Sequence, residues 1–162
     1  MIRGFSPAPI RKTIWVDAEP QVAFEVFATR MHAWWPNSHT IGRGELQQAV
    51  IEPRVGGRWY GLDVDGAETE WGEVLEWRPP ERLALAWRIG ADHRFDRDLE
   101  TEVHVTFHRV DGGTEVRLEH RHLERMGAQV ERARNQLDGP EGWAVILERF
   151  AAVFPRRRQR QA

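Results

Sequence analysis

Regularly spaced turn signals divide the middle of this chain into short strand-like segments. Apolar or alternating runs end at clusters of glycine, proline and aspartate, among them Asp65-Gly66 and Asp111-Gly112-Gly113. Short loops of this composition join antiparallel strands in hairpins. The segments are 46–53, 58–64, 70–77, 83–89, 101–110 and 114–123. Their succession predicts one antiparallel meander and excludes an alternation of parallel strands with helices.

Helical patterns precede and follow these strands. A further strand pattern at 10–16 leads to Pro20, which opens a helix that ends near Thr29, and a short second helix is predicted at 32–36. At the other end, a weak helical pattern spans 126–137, and an apolar stripe of helical period spans 143–154. The order predicts an α+β helix-grip fold, in which a curved antiparallel sheet of about six to seven strands wraps around a long C-terminal helix. Because one helix cannot cover the whole concave face of such a sheet, we expect a cavity between them.

Length and composition are those of one globular domain. The 162 residues suffice for a core over about 9–154, and the basic segment 155–162 is expected to be a disordered tail. The absence of cysteine excludes disulfides, thiolate nucleophiles and iron–sulfur clusters. The net charge is −2 although the tail arginines contribute four positive charges, so no nucleic-acid partner is expected. Neither a signal peptide nor a stretch long enough for a bilayer is present, so we expect a cytoplasmic protein without a membrane partner.

Several motifs, taken in order, resemble one superfamily. They are VGGR at 55–58, GEVLEWRPPERL at 72–83, Trp87, GGTEVRLEH at 112–120 and Gly142-Trp143. Their order and spacing are similar to those of the START-like (SRPBCC) superfamily, and within it to homologues of the heat-shock ATPase activator (Aha-type), over roughly residues 9–154. The resemblance implies a helix-grip fold with an internal hydrophobic cavity. It implies no shared catalytic residues, because members include ligand carriers, cyclases, hydrolases and co-chaperone domains.

The same resemblance bears on partners. The family's eukaryotic co-chaperones carry an additional N-terminal domain that has no counterpart in this sequence. A chaperone partner is therefore not expected.

One carboxylate falls on an apparently apolar strand face. In the segment 70–77, alternation places Trp71, Leu75 and Trp77 on one side, and Glu73 lies among them. Inside a dry cavity this carboxylate is a candidate general acid or base, or an anchor for a polar group of a ligand. The alternative is a register shifted by one residue, which places Glu73 toward solvent and Val74 inside.

His120 and His122 are two residues apart on the last predicted strand and are therefore expected to point to the same side. With a nearby carboxylate they could bind a divalent metal, but no motif supplies a third ligand. We expect His120 to line the cavity or to be hydrogen-bonded in the core, with no metal and no cofactor. The Walker loop, the G-x-G-x-x-G loop, the G-x-S-x-G elbow and the H-E-x-x-H motif are all missing from the sequence.

Eight tryptophans are the most unusual feature of the composition. Such large rings either fill a core or line a pocket, where they offer contact area at a small entropic cost. The candidate ligand-binding residues are Trp35, Trp59, Trp71, Glu73, Trp87, His120 and Trp143.

Three functions are compatible with these residues. The first is the binding of a small hydrophobic or aromatic molecule between the sheet and the C-terminal helix. The second is a cyclase- or hydrolase-like enzyme, in which Glu73 and His120 act as an acid/base pair on a bound molecule. The third is a chaperone- or stress-related protein-interaction domain. Homodimerisation is compatible with each.

Overall fold

A seven-stranded antiparallel sheet forms the body of the protein. The structure is a computed structural model and describes residues 8–155. The strands lie in the order β1-β7-β6-β5-β4-β3-β2, so β2 to β7 form the predicted meander and β1 is added beside β7. They are β1 (Ile10–Val16), β2 (Leu46–Ile51), β3 (Arg58–Asp63), β4 (Glu68–Arg78), β5 (Arg82–Trp87), β6 (Thr101–Val110) and β7 (Gly113–Arg121).

Helices pack on the concave side of this curled sheet. They are α1 (Pro20–Thr29), α2 (Val130–Asp138) and α3 (Trp143–Ala152), with 3₁₀ segments at Met31–Ala33 and Leu123–Gln129. Pro20 lies in the first turn of α1, where its missing N–H leaves no hydrogen bond unmade. The predicted α+β helix-grip fold, with two short helical segments near its N-terminus, is confirmed.

The C-terminal helical region is bent rather than straight. Gly127 interrupts it with a positive φ of 65°, a conformation that glycine adopts without strain. Residues 139–142 then separate α2 from α3. The buried side chains of α3 form the predicted stripe against the sheet: Trp143, Ile146, Leu147 and Phe150.

Regular alternation on β5, β6 and β7 creates one apolar sheet face. Its buried side chains are Leu83, Leu85, Trp87, Val103, Val105, Phe107, Val116, Leu118 and His120. The register connects them across the strands, since Leu85 pairs with Val103 and Val103 with His120. Phe150 of α3 and Phe27 of α1 pack edge to face above them, with ring centroids 5.3 Å apart.

Strand β4 departs from regular alternation at two bulges. Trp71 has no register partner on β3, and Leu75 has none on β5. Each bulge inserts one extra residue and reverses the alternation beyond it. As a result Trp71 and Val74 are both buried, whereas Glu73 lies on the opposite face, paired with Ala86. The prediction that Glu73 faces the interior is therefore wrong, and the alternative register with Val74 inside is correct.

Two further predictions from the sequence are a disordered basic tail at 155–162 and the absence of a segment that spans a membrane. The basic tail lies outside the described residues, except for Pro155. Over the described span, 8–155, no helix is both long enough and apolar enough to cross a bilayer.

Candidate functional site

A pocket of ≈ 350 Å³ lies between the sheet and the C-terminal helices. Its floor comes from β4 and β5, its sides from the segments 38–41 and 89–93, and its roof from α2 and the start of α3. The larger apolar side chains that line it are Trp35, Ile41, Trp71, Trp87, Ile89, Met126, Leu137 and Ile146. Polar side chains stand among them: Ser38, His39, Thr40, His93, Gln136 and Glu141. The volume is within the range of small-molecule sites.

Hydrogen bonds fix two of the three indole rings in the pocket wall. Trp35 Nε1 donates to the carbonyl of His39 at 2.7 Å, and Trp87 Nε1 donates to the carbonyl of Ile89 at 3.0 Å. Trp71 packs at a tilt against Trp35, with ring centroids 5.4 Å apart. Because all three rings are buried in the surrounding core, they present a fixed aromatic surface to the pocket.

The other two candidate tryptophans lie behind this wall. Trp59 and Trp143 are fully buried and do not line the pocket. Each packs against Trp87, with ring centroids 5.5 and 5.4 Å away. The five candidate tryptophans are thus divided into three that line the pocket and two that support the lining from the core.

His120 is completely buried, and both of its ring nitrogens are in hydrogen bonds. Trp143 Nε1 donates to His120 Nδ1 at 3.0 Å, which requires that Nδ1 carries no proton. The proton is therefore on Nε2, 2.8 Å from Thr101 Oγ1, and the Thr101 hydroxyl donates in turn to the carbonyl of Trp87 at 2.9 Å. Burial lowers the pKa of His120 to about 3, so the ring is neutral at ordinary pH.

This network assigns His120 to the core. It connects α3 with β5, β6 and β7, and it leaves no ring nitrogen free for a ligand. His120 is absent from the pocket lining. Of the two expectations for this residue, the hydrogen-bonded core histidine is the one that the geometry matches.

Glu73 lies on the outer face of the sheet, away from His120. Its Oε1 accepts a hydrogen bond from Arg88 Nη2 at 2.6 Å, and 40% of its side chain is exposed. Arg88 is also held by Glu100 and by two backbone carbonyls of the loop that follows β5. The predicted acid/base pair of Glu73 and His120 in one cavity is therefore wrong. The bulges of β4 are the physical reason, because they turn Glu73 to the solvent side.

His122 does not accompany His120 into the interior. β7 ends at Arg121, and His122 has a left-handed backbone with a φ of 66°. Its ring nitrogens lie 3.7 Å from Glu102 and 3.6 Å from Glu124, and 38% of the side chain is exposed. The expectation that both histidines point to one side is wrong, because the strand ends between them. Among the residues that the structure describes, no group of three or more metal-ligating side chains occurs.

A different histidine, which no sequence pattern singled out, lies in the pocket wall. His39 Nε2 is 2.7 Å from the carbonyl oxygen of Glu141, and its Nδ1 is 2.9 Å from Ser38 Oγ. Because a carbonyl only accepts, Nε2 carries a proton, and an Nδ1 without a proton accepts from the Ser38 hydroxyl. The contact joins the segment 38–41 to the connection between α2 and α3. Its partners are 102 residues apart, so no local pattern could have revealed it.

Comparison with known proteins gives a consistent family. The model of the family described as "Activator of Hsp90 ATPase homolog 1-like protein" matches residues 17–155. No curated protein gives a significant match.

Three solved structures are similar to this chain over 90% of its length or more. One described as "An anthrahydroquino-Gama-pyrone synthase Txn09 complexed with SUM" is 40% identical, with a TM-score of 0.64 over 92% of this chain and 98% of that chain. The self-sacrificing resistance protein CalC from Micromonospora echinospora is 32% identical, with a TM-score of 0.69 over 90% of this chain and 93% of that chain. The Aha1 dimer from Colwellia psychrerythraea, 16% identical with a TM-score of 0.59 over 91% of this chain and 96% of that chain, shares the fold.

The family match and the helix-grip fold agree with the resemblance expected from the motifs at 55–58, 72–83 and 112–120. The two relatives at 40% and 32% identity extend over nearly the whole chain. This chain belongs to the Activator of Hsp90 ATPase homolog 1-like family, within the START-like superfamily.

Proposed function

We propose that this protein binds a flat aromatic small molecule in the pocket between the sheet and helices α2 and α3. The observation that carries the proposal is that three indole rings, those of Trp35, Trp71 and Trp87, line one cavity of ≈ 350 Å³. Fixed aromatic walls favour flat apolar ligands, because stacked rings gain a large contact area and the side chains lose little further entropy.

The polar part of the pocket supports a ligand with oxygen substituents at its edge. Ser38, His39 and Gln136 place hydroxyl, imidazole and amide groups beside the aromatic wall. A few directed hydrogen bonds at the margin of an apolar site orient a ligand without desolvating many polar groups.

One relative supports the same class of ligand. The name of the synthase at 40% identity denotes a pyrone joined to an anthrahydroquinone, which is a fused aromatic system. A pocket wall of three indoles is suited to such a ring system. For this protein, we propose a ligand of the same class, a fused aromatic molecule.

Calorimetric titration with a neutral tricyclic probe, 2-(hydroxymethyl)anthraquinone, tests the proposal. Ala133 is buried on α2 and lines the pocket, so Ala133→Leu places a larger side chain in the space assigned to the ligand. We expect saturable binding to the wild type with one site, and a loss of affinity of at least about tenfold in Ala133→Leu.

Ala144→Leu is the matched control, because Ala144 is exposed on α3 and does not line the pocket. Circular dichroism of both variants shows whether they fold. Absence of saturable binding to the wild type, or equal affinity in folded Ala133→Leu and wild type, contradicts the proposal.

A second candidate function is acid/base catalysis on the bound molecule, with His39 in place of the rejected Glu73 and His120 pair. The observation that favours it is that the contact of His39 Nδ1, at 2.9 Å, is with the hydroxyl of Ser38, an exposed side chain that a ligand hydroxyl can replace. A phenolic hydroxyl at that position would be within reach of a neutral imidazole base.

The ionisation of a bound phenol tests this candidate. We expect the visible absorption of bound 2-hydroxyanthraquinone to show the phenolate at lower pH in the wild type than in His39→Gln, which keeps a donor toward the Glu141 carbonyl. Superimposable titrations for the two proteins rule out a role of His39 as base.

A chaperone- or stress-related role, a homodimer and a cytoplasmic location remain predictions.

A further inference from the structure

A second groove adjoins the aromatic pocket and is lined by arginines. It has a volume of ≈ 590 Å³ and lies between the loop that follows β5 and the region of Leu123–Gln129 and α2. We name it the arginine groove after four of its lining residues, Arg94, Arg97, Arg125 and Arg132.

Three of these arginines have guanidinium groups without a partner among the described residues. The guanidinium groups of Arg94, Arg97 and Arg132 make neither a hydrogen bond nor an ion pair with any residue in the span 8–155. The fourth, Arg125, donates to the carbonyl of Glu100 at 2.8 Å and is 3.9 Å from Glu102. Four arginines against two aspartates give the lining a positive balance of two charges, and three of the guanidinium groups pair with no carboxylate of the described residues.

Two aspartates also line the groove, but they are engaged by the backbone. Asp92 Oδ1 accepts from the backbone N–H of Arg94 at 3.1 Å, and Asp96 Oδ1 accepts from that of Asp98 at 2.9 Å. These contacts stabilise the turns of the loop. Neither aspartate forms an ion pair with an arginine of the groove.

On the outer face of the sheet, by contrast, Arg58 and Arg88 are paired with carboxylates. Arg58 is 3.0 Å from Glu68 and 2.9 Å from Glu70, and Arg88 bridges Glu73 and Glu100. Several unpaired guanidinium groups in one groove repel one another, and an anion between them removes that repulsion.

The arginine groove adjoins the aromatic pocket. Gly90, Ala91 and Met126 line both. For a molecule whose ring system lies against the three indoles, the guanidinium groups therefore lie on the far side of these shared residues, in the adjoining groove.

We propose that the arginine groove binds an anionic group, a carboxylate or a phosphate, carried by the molecule whose aromatic part occupies the pocket. Guanidinium groups bind both anions through paired N–H···O hydrogen bonds, which are stronger than neutral ones. The inference rests on the proposed function and narrows its ligand to an aromatic anion.

Matched probes test the inference by calorimetry on the full chain. They are the neutral 2-(hydroxymethyl)anthraquinone, the phosphate ester of that alcohol, and anthraquinone-2-acetate. At about 100 mM salt we expect at least one anion to bind at least about tenfold more tightly than the alcohol. The anion with the larger gain identifies the group that the groove accepts. At higher salt the gain is expected to shrink while the affinity for the alcohol is unchanged.

Charge-neutral variants locate the effect. In Arg97→Gln/Arg132→Gln we expect the preference for the anion to fall to within about twofold, with the affinity for the alcohol retained. Arg11→Gln/Arg30→Gln is the control, because it removes the same charge from exposed positions outside the groove. The preference is expected to survive in the control.

The outcomes separate the two proposals. If the alcohol binds and neither anion binds more tightly, the groove inference is wrong and the proposed function stands. A preference that persists in Arg97→Gln/Arg132→Gln, or that the control loses equally, also overturns the inference. If the alcohol does not bind, the proposed function fails, and the inference that rests on it fails with it.

Discussion

One histidine, His120, lies behind the pocket and another, His39, lies in its wall, and the two are held in different ways. His120 is enclosed between α3 and the sheet, where Trp143 and Thr101 occupy both ring nitrogens. His39 lies on a loop, where it meets a backbone carbonyl and the exposed hydroxyl of Ser38. A buried histidine with complete hydrogen bonding contributes to stability, whereas one beside a cavity with an exchangeable partner is available to a ligand.

The comparison also separates two kinds of sequence signal. His120 follows the alternation of a regular strand and is therefore easy to place on the inner face. His39 belongs to an irregular loop, and its position depends on a contact with a distant residue, Glu141. In this protein His120, which follows the strand pattern, is structural, and His39, which follows no pattern, lines the pocket.

The largest expected effect comes from the region behind the pocket. Trp143→Ala removes a fully buried ring and leaves Nδ1 of His120 without its donor, so we expect a loss of about 3–5 kcal/mol in the free energy of unfolding. Urea denaturation followed by circular dichroism measures it. Glu148→Ala, at an exposed position of α3, is the control. A loss below about 1 kcal/mol for Trp143→Ala would contradict the packing of α3 on the sheet.

The next effect is the pH dependence of stability that His120 contributes. Burial holds the pKa of folded His120 at about 3, whereas the unfolded chain takes up this proton near pH 6.5. Between these values the unfolded state binds more protons than the folded state. The stability that neutral, buried His120 contributes is therefore fully present above about pH 6.5 and decreases as the pH falls toward 3. The contribution is expected to change by about 1.4 kcal/mol per pH unit within this window.

His120→Gln isolates this contribution, because glutamine offers one acceptor and one donor and does not titrate. Other groups titrate in both proteins, so the difference between the two stability profiles is the quantity to measure. We expect the wild type to lose its advantage progressively from about pH 6 to pH 3. Parallel profiles would show that His120 is not buried in its neutral form.

A smaller effect distinguishes the pocket wall from the core. His39→Ala removes one hydrogen bond between loops, so we expect a loss of only about 0.5–1.5 kcal/mol in the free energy of unfolding. The affinity for 2-(hydroxymethyl)anthraquinone is expected to fall by about fivefold or more, whereas His120→Gln leaves it within about twofold. The reverse result, binding lost in His120→Gln and kept in His39→Ala, would exchange the roles assigned to the two histidines.

The smallest effect is expected on the outer face. Glu73→Gln removes one partly exposed ion pair with Arg88, which is worth about 0–1 kcal/mol. Ligand affinity is expected to be unchanged within about twofold, because the side chain points away from the pocket. A clear change in affinity, measured in the same titration, would return Glu73 to the binding site.

Most of the architecture could be predicted from the sequence, and one strand could not. The turn residues and the alternating runs between them identified the meander of β2 to β7. On β4, the bulges at Trp71 and Leu75 broke the alternation on which the placement of Glu73 relied. Gly72 was an available signal, since glycine within a strand often marks a bulge or a close backbone approach. A Cβ at position 72 would lie 1.7 Å from the carbonyl oxygen of Ala86.

The sequence by itself determined the local elements, the helix-grip order and the family, because these depend on turn chemistry and on the periodicity of neighbouring residues. Only the tertiary structure decided which tryptophans line the pocket and which fill the core, because all five are apolar rings and their difference lies in what packs behind them. It also decided the contact of His39 with Glu141 and the convergence of unpaired arginines beside the pocket. These features join residues far apart in the chain, and no local pattern encodes the distance between them.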